Sequence, residues 1–237
     1  MKEFINEDQE EKNQLKIYTV PSVVEKDIKG TSIITSNISS KPSKEKIINE
    51  AFKLHSEGNI SEAVKHYKYF INQGFNDHRV FSNYGGILQS LGKLKEAEIS
   101  LRKAIEIKPD YVNAYCNLGA VLRDLGKLKE AEESVLKAIE LNPNFADAHS
   151  KLAAILQALG RLKEAETSQL KAIKLNPDHA NAHFNLGTIL KGLGKLNEAE
   201  ISMRKAIELK PDLTNAYYNL GNLLRSLGKL KEAEIFQ

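Results

Sequence analysis

A period of 34 residues constrains this chain more than any other feature. Pro109, Pro143, Pro177 and Pro211 fall on that step, as do Gly58, Gly92, Gly126, Gly160, Gly194 and Gly228. Ala63, Ala97, Ala131, Ala165, Ala199 and Ala233 keep the same register. Self-similarity of this size marks an architecture in which each unit buries its apolar face against its neighbours. Within one unit, apolar residues recur twice at helical spacing. Leu118, Val121, Leu122 and Leu125 mark a first helix, and Leu128, Ala131, Val135, Ala138, Ile139 and Leu141 a second. Gly126 lies between them, where a left-handed residue ends the first helix without a side-chain clash. Pro143 cannot continue the second helix, because it has no amide proton to donate.

The register gives repeats at 44–77, 78–111, 112–145, 146–179, 180–213 and a partial 214–237. Unit length, helix pairing and the Gly, Ala and Pro positions together resemble the tetratricopeptide-repeat (TPR) family. The resemblance implies an all-α, right-handed superhelical solenoid of antiparallel helix pairs, packed closely at Gly119, Ala131 and Ala138. Some positions depart from the pattern. Phe70 stands where later repeats have alanine, and Phe75 where they have proline. The fourth repeat has Ala153 for glycine and Gln169 in mid-helix, which is expected to weaken packing locally. Residues 1–43 are polar and form, on composition, a mostly disordered N-terminal tail. Two short β-prone runs interrupt it, Ile17 to Val20 and Ser32 to Thr35.

A net charge of +3 is too mild for a nucleic-acid or membrane surface, so neither partner is expected. Cys116 is the single cysteine, which excludes an internal disulfide and fits a reducing, cytoplasmic compartment. The first residues have no apolar core of the kind a signal peptide needs, and no window reaches the length of a membrane span. No Cys-x-x-Cys, His-Glu-x-x-His or strand-borne Gly-x-Gly-x-x-Gly is present, so no catalytic residue, metal or cofactor is expected. His149 and His183 share a repeat position with Tyr115 and Tyr217, which marks them as packing residues rather than a metal pair. Cys116 is expected half-buried towards the groove, with nothing nearby to activate its thiolate.

The sixth residue of each repeat is Asn83, Asn117, Lys151, Asn185 and Asn219 in turn. TPR geometry implies that this position faces the concave side, so the amides would form a ladder. Each amide offers a donor and an acceptor to a peptide backbone of any sequence. Asparagine is a mediocre helix former, so helix propensity does not explain the recurrence. The ladder is similar to that of the O-linked N-acetylglucosamine transferase arrays, whose catalytic domain has no counterpart here. Arg79, Arg123, Lys191 and Arg225 join Lys151 around it, against Asp124 and Asp147. That balance leans towards an acidic peptide or a carboxylate. The carboxylate clamp of TPR co-chaperones wants lysine at the fifth position, where Ser82, Cys116, Ser150, Phe184 and Tyr218 stand, so a chaperone adaptor is disfavoured. The expected function is a protein–protein interaction scaffold with a peptide-binding concave groove. The alternative is the substrate-presenting arm of a glycosyltransferase or sulfotransferase-like enzyme. The final repeat stops inside its second helix, so an exposed apolar edge at Leu220, Leu223, Leu224 and Leu227, and weak self-association through it, are also expected.

Overall fold

A computed structural model describes residues 42–236. The expected disordered tail and its two β-prone runs lie outside the described residues. The first helix pair is α1 (Lys44–Ser56) and α2 (Ile60–Asn72), followed by α3 (His78–Ser90) and α4 (Leu94–Ile107). The middle pairs are α5 (Val112–Asp124) with α6 (Leu128–Leu141), and α7 (Ala146–Ala158) with α8 (Leu162–Leu175). Then come α9 (Ala180–Gly192), α10 (Leu196–Leu209), α11 (Thr214–Ser226) and the short α12 (Leu230–Ala233), which runs into a 3₁₀ turn, Glu234–Phe236. No strand occurs among the described residues. No described helix is long and apolar enough to cross a membrane.

Each odd-numbered helix packs on its even-numbered partner, and each partner on the next pair. The first helices α3, α5, α7, α9 and α11 also touch one another in sequence, whereas the second helices make no comparable contacts among themselves. Helices that touch their counterparts on the inside of a stack must line its concave side. That asymmetry makes the array a curved solenoid.

Local chemistry sets the joints. Gly126 takes φ 77°, which only glycine adopts freely. Its loop closes as a Schellman cap, with Lys127 N–H donating to Leu122 O at 2.9 Å and Gly126 N–H to Arg123 O at 2.9 Å. At the other end of the hairpin, Asn142 is extended (φ −144°, ψ 93°), as the residue before a proline must be. Gly119 serves a different purpose. A Cβ there would lie 2.2 Å from Val135 Cγ2 and 3.1 Å from Ala131 O, so α5 and α6 approach closely only because it is absent.

Gln169 of the fourth repeat, expected to weaken packing locally, finds partners for its amide. The side chain is fully buried, but its polar atoms are matched. Ser150 Oγ donates to Gln169 Oε1 at 3.3 Å, and Gln169 Nε2 donates to Ala182 O at 3.0 Å. The amide ties α7, α8 and α9 together where the other repeats place Leu101, Val135 or Met203.

The expected bare C-terminal edge is also corrected. Leu220, Leu223 and Leu224 are fully buried. The short α12 packs on α11, and Ala233 joins the core cluster of those leucines. Apolar exposure at this end falls instead on Tyr218, Leu230 and Ile235.

A second set of ties runs between repeats on the second-helix side. Glu98, Glu132, Glu166 and Glu200 each accept from a basic residue 29 positions on: Lys127, Arg161, Lys195 and Lys229. The distances are 2.9, 2.7, 2.7 and 2.8 Å. Each basic residue sits in the tight turn of the following repeat, so the pair fixes the angle at which one hairpin meets the next. Arg102 extends the first of these to Glu130, and Arg204 the last to Glu232. The final stub is thus held from α10 by two ion pairs.

Candidate functional site

The first-helix layer carries the amide row. Asn83 on α3, Asn117 on α5, Lys151 on α7, Asn185 on α9 and Asn219 on α11 are all half-buried, one per repeat. Their hydrogen bonds differ. Asn83 bonds the hydroxyl of Tyr67, whose oxygen also lies 3.2 Å from His55 Nδ1. Burial, opposed by the Asn83 bond, raises the Tyr67 phenol above its ordinary pKa. Asn117 Oδ1 accepts from Lys151 Nζ at 3.3 Å, and Asp147 Oδ2 accepts from the same ammonium at 3.3 Å. Asn219 Nδ2 donates at 2.8 Å to Asn215 O on its own helix. Thr188 Oγ1 donates at 2.8 Å to the Asn185 carbonyl, which leaves the Asn185 side-chain amide out of that bond.

The basic residues divide into two groups. Arg79 is exposed and grips Asp77, the N-cap of α3, at 3.1 and 2.8 Å, and its guanidinium lies 5.4 Å from the Phe52 ring. Burial acts to raise the Asp77 carboxyl, but the hydrogen bonds and charge of Arg79 outweigh it and hold the pKa below its ordinary value. Arg123 pairs with its neighbour Asp124 at 2.8 Å, and Gln89 Nε2 donates to that carboxylate at 2.6 Å. These two arginines and Lys151 are therefore neutralised locally. Lys191 and Arg225 make no ion pair among the described residues.

Three further residues settle where the sequence left a choice. Cys116 is fully buried rather than half-buried: it is 1% exposed, and burial, opposed by Lys151, pushes its thiol up to about 11. A thiol with that pKa is almost wholly protonated at neutral pH. His149 and His183 each donate a ring N–H to the carbonyl of the proline six residues back, Pro143 at 2.9 Å and Pro177 at 2.8 Å. They lock the inter-repeat turn. Among the described residues, no group of three or more His, Cys, Asp or Glu is placed to hold a metal.

Among the described residues, clefts open on both sides of the array. A larger one, roughly 470 Å³, lies on the second-helix side between α4, α5 and α6, away from the amide row. A smaller one, roughly 230 Å³, lies on the first-helix side and includes Asn83 and Asn117 in its lining. Helical periodicity could not reveal either, because both form between repeats.

Comparison with known proteins follows the same register. Family models for the tetratricopeptide repeat match residues 112–145, 144–212 and 203–235, and one for the TPR repeat matches 85–122. A thermophilic TPR protein of Thermus thermophilus superposes with a TM-score of 0.67 at 20% identity, covering 77% of this chain and 99% of the other. YrrB, a TPR protein with an unusual peptide-binding site, superposes at 0.55 with 25% identity, covering 75% and 92% of the two chains. The Hsp70-Hsp90 organising protein of Plasmodium falciparum is 40% identical over 63 residues, 27% of this chain. That match spans only 25% of the relative's length. The matched family models run from residue 85 to residue 235, through the same helix pairs that build the solenoid, and the chain belongs to the tetratricopeptide-repeat family.

Proposed function

We propose that the array is a protein–protein interaction scaffold whose concave face holds an extended segment of its partner. The observation that carries this reading is the row of Asn83, Asn117, Lys151, Asn185 and Asn219, one polar side chain per repeat on touching first helices. An extended backbone presents donors and acceptors at regular intervals whatever its side chains, and amides answer both. YrrB has a peptide-binding site on a similar scaffold. The name of the Plasmodium relative likewise describes a protein that organises others. The fifth positions include no lysine, and Ser82, Cys116 and Ser150 among them are buried, so we assign no chaperone-tail clamp to this groove.

Charge sharpens the reading. Because Arg79, Arg123 and Lys151 are already paired, the groove's attraction for acid is concentrated towards Lys191 and Arg225. The partner segment would lay its acidic residues over α9 and α11, with neutral residues over α3 and α5.

Asn117→Ala combined with Asn185→Ala should weaken partner capture roughly 5- to 100-fold. Each lost bond costs about 0.5–1.5 kcal/mol, and tenfold corresponds to 1.4 kcal/mol. The circular dichroism spectrum and melting should stay as in the parent. Pull-downs from native lysate provide the measurement. The same captured proteins in the same amounts from both forms would remove the amide row from the site.

A further inference from the structure

The first-helix cleft near the N-terminal end contains a hydroxyl without a partner and a glycine that packing does not require. Its walls are Ile60, Ile87 and Leu91, and its polar lining includes His55, Ser82, Asn83 and Asn117. Ser82 is 1% exposed, and its Oγ is the one buried side-chain polar atom among the described residues that has no hydrogen-bond partner. A buried polar group in that condition is uncommon and calls for an explanation. Ser150, its equivalent on α7, donates to Gln169. The rest of the polar lining is engaged: Asn83 with Tyr67, Asn117 with Lys151, and Ser90 Oγ with the Gly86 carbonyl at 3.2 Å.

Gly86 is the second observation. Its neighbour Gly85 must be glycine, because a Cβ there would lie 2.6 Å from Leu101. At Gly86 an added Cβ meets nothing within 4 Å, and no left-handed backbone demands glycine. Mid-helix glycine costs stability relative to alanine. The corresponding residues in the next repeats are Ala120 and Ala154. What Gly86 provides is the open space of the cleft itself.

From these features we infer that the cleft is a side-chain pocket of the groove and that it seats a tyrosine of the bound segment. The inference rests on the scaffold reading above. The apolar walls and volume suit one aromatic ring, since a cavity of about 150 Å³ holds benzene. The pocket's roughly 230 Å³ adds room for a hydroxyl. No lysine, arginine or carboxylate lines it, and its histidine, His55, is already bonded to the Tyr67 hydroxyl at 3.2 Å, so a charged tip finds no free partner. A phenol hydroxyl both donates and accepts, and Ser82 can bond it in either sense.

The test uses p-cresol, the tyrosine side-chain analogue, and toluene, its counterpart without the hydroxyl. Amide chemical shifts of the isotopically labelled full chain are followed by NMR. Millimolar p-cresol should give saturable shifts at residues 55, 82–91 and 117, with toluene binding about 5-fold or more weakly, the effect of roughly one hydrogen bond. Ser82→Ala should bring the two compounds to equal affinity. Gly86→Leu should abolish both while helicity is retained, and Gly86→Ala should weaken both with less structural risk. Absence of saturable shifts would mean that the pocket holds only water, and would overturn the inference. So would an unchanged p-cresol preference in Ser82→Ala. Either failure leaves the amide-row experiment untouched, because that one measures capture of the whole partner without reference to this pocket.

Discussion

Gly119→Val is expected to destabilise the array by about 3 kcal/mol or more, at the upper end of what overpacking costs. The Cβ alone would meet Val135 Cγ2 at 2.2 Å and the Ala131 carbonyl oxygen at 3.1 Å, and the second atom belongs to a backbone that cannot rotate away. The branched methyls add to the clash. In a linear array the damage should stay near its origin, because each repeat contacts only its neighbours. Hydrogen exchange should therefore accelerate most over residues 112–145. Shortening the facing side chain should relieve the strain: Gly119→Ala with Val135→Ala should be more stable than Gly119→Ala alone. Urea or thermal unfolding followed by circular dichroism checks this. An unchanged melting point for Gly119→Val would mean that α5 and α6 are not held at the separation described.

Acid should loosen the joints between repeats. The Lys127 hydrogen bond, helped by Arg102 against the opposing effect of burial, holds the Glu98 carboxyl below its ordinary pKa of 4.5. For Glu200 burial is the largest influence and acts upward, but Lys229 and Arg204 together outweigh it and the pKa is again lowered. A carboxyl with a lowered folded pKa contributes stability that is present above its unfolded value. That contribution is lost as the pH falls through the folded value. The urea midpoint should thus be flat above about pH 5 and fall below the ordinary carboxylate pKa. Glu98→Gln with Glu200→Gln should cost about 1 kcal/mol per site at neutral pH, since each partner lysine is still partly solvated. The double variant should show a shallower acid decline, converging on the parent at low pH. Parallel pH profiles for parent and variant would show that these carboxylates do not couple the repeats.

The helix pairs were legible because each rests on a local rule. Gly126 marks a left-handed cap, Pro143 a helix stop, and the leucine spacing a buried stripe, and all three read correctly without any tertiary contact. The misreadings concern groups whose partners lie outside their own helix. Gln169 looks like a core defect until Ser150 and the Ala182 carbonyl are seen to bond it. Leu220, Leu223 and Leu224 look exposed when α12 is judged by its length, and are buried once it packs. The glutamate ties recur every 34 residues with partners 29 positions on, but within a single helix they look like solvated surface. Arg79 shows the limit for the groove: its position nominated it as a ligand-facing charge, while Asp77 two residues earlier makes it part of a helix cap. The double glycine Gly85-Gly86 was the available signal for the N-terminal pocket, since a helix needs only one of the two for packing.

The concave-groove reading is tested most directly by a crystal structure of the array with a peptide selected against it from a random display library. The peptide should run across α3, α5, α7, α9 and α11 in extended form, with the side-chain amides of Asn117 and Asn185 bonded to its backbone and its acidic residues near Lys191 and Arg225. A peptide seated on the second helices, or in the cleft lined by Tyr115, Glu130 and Lys137, would contradict it.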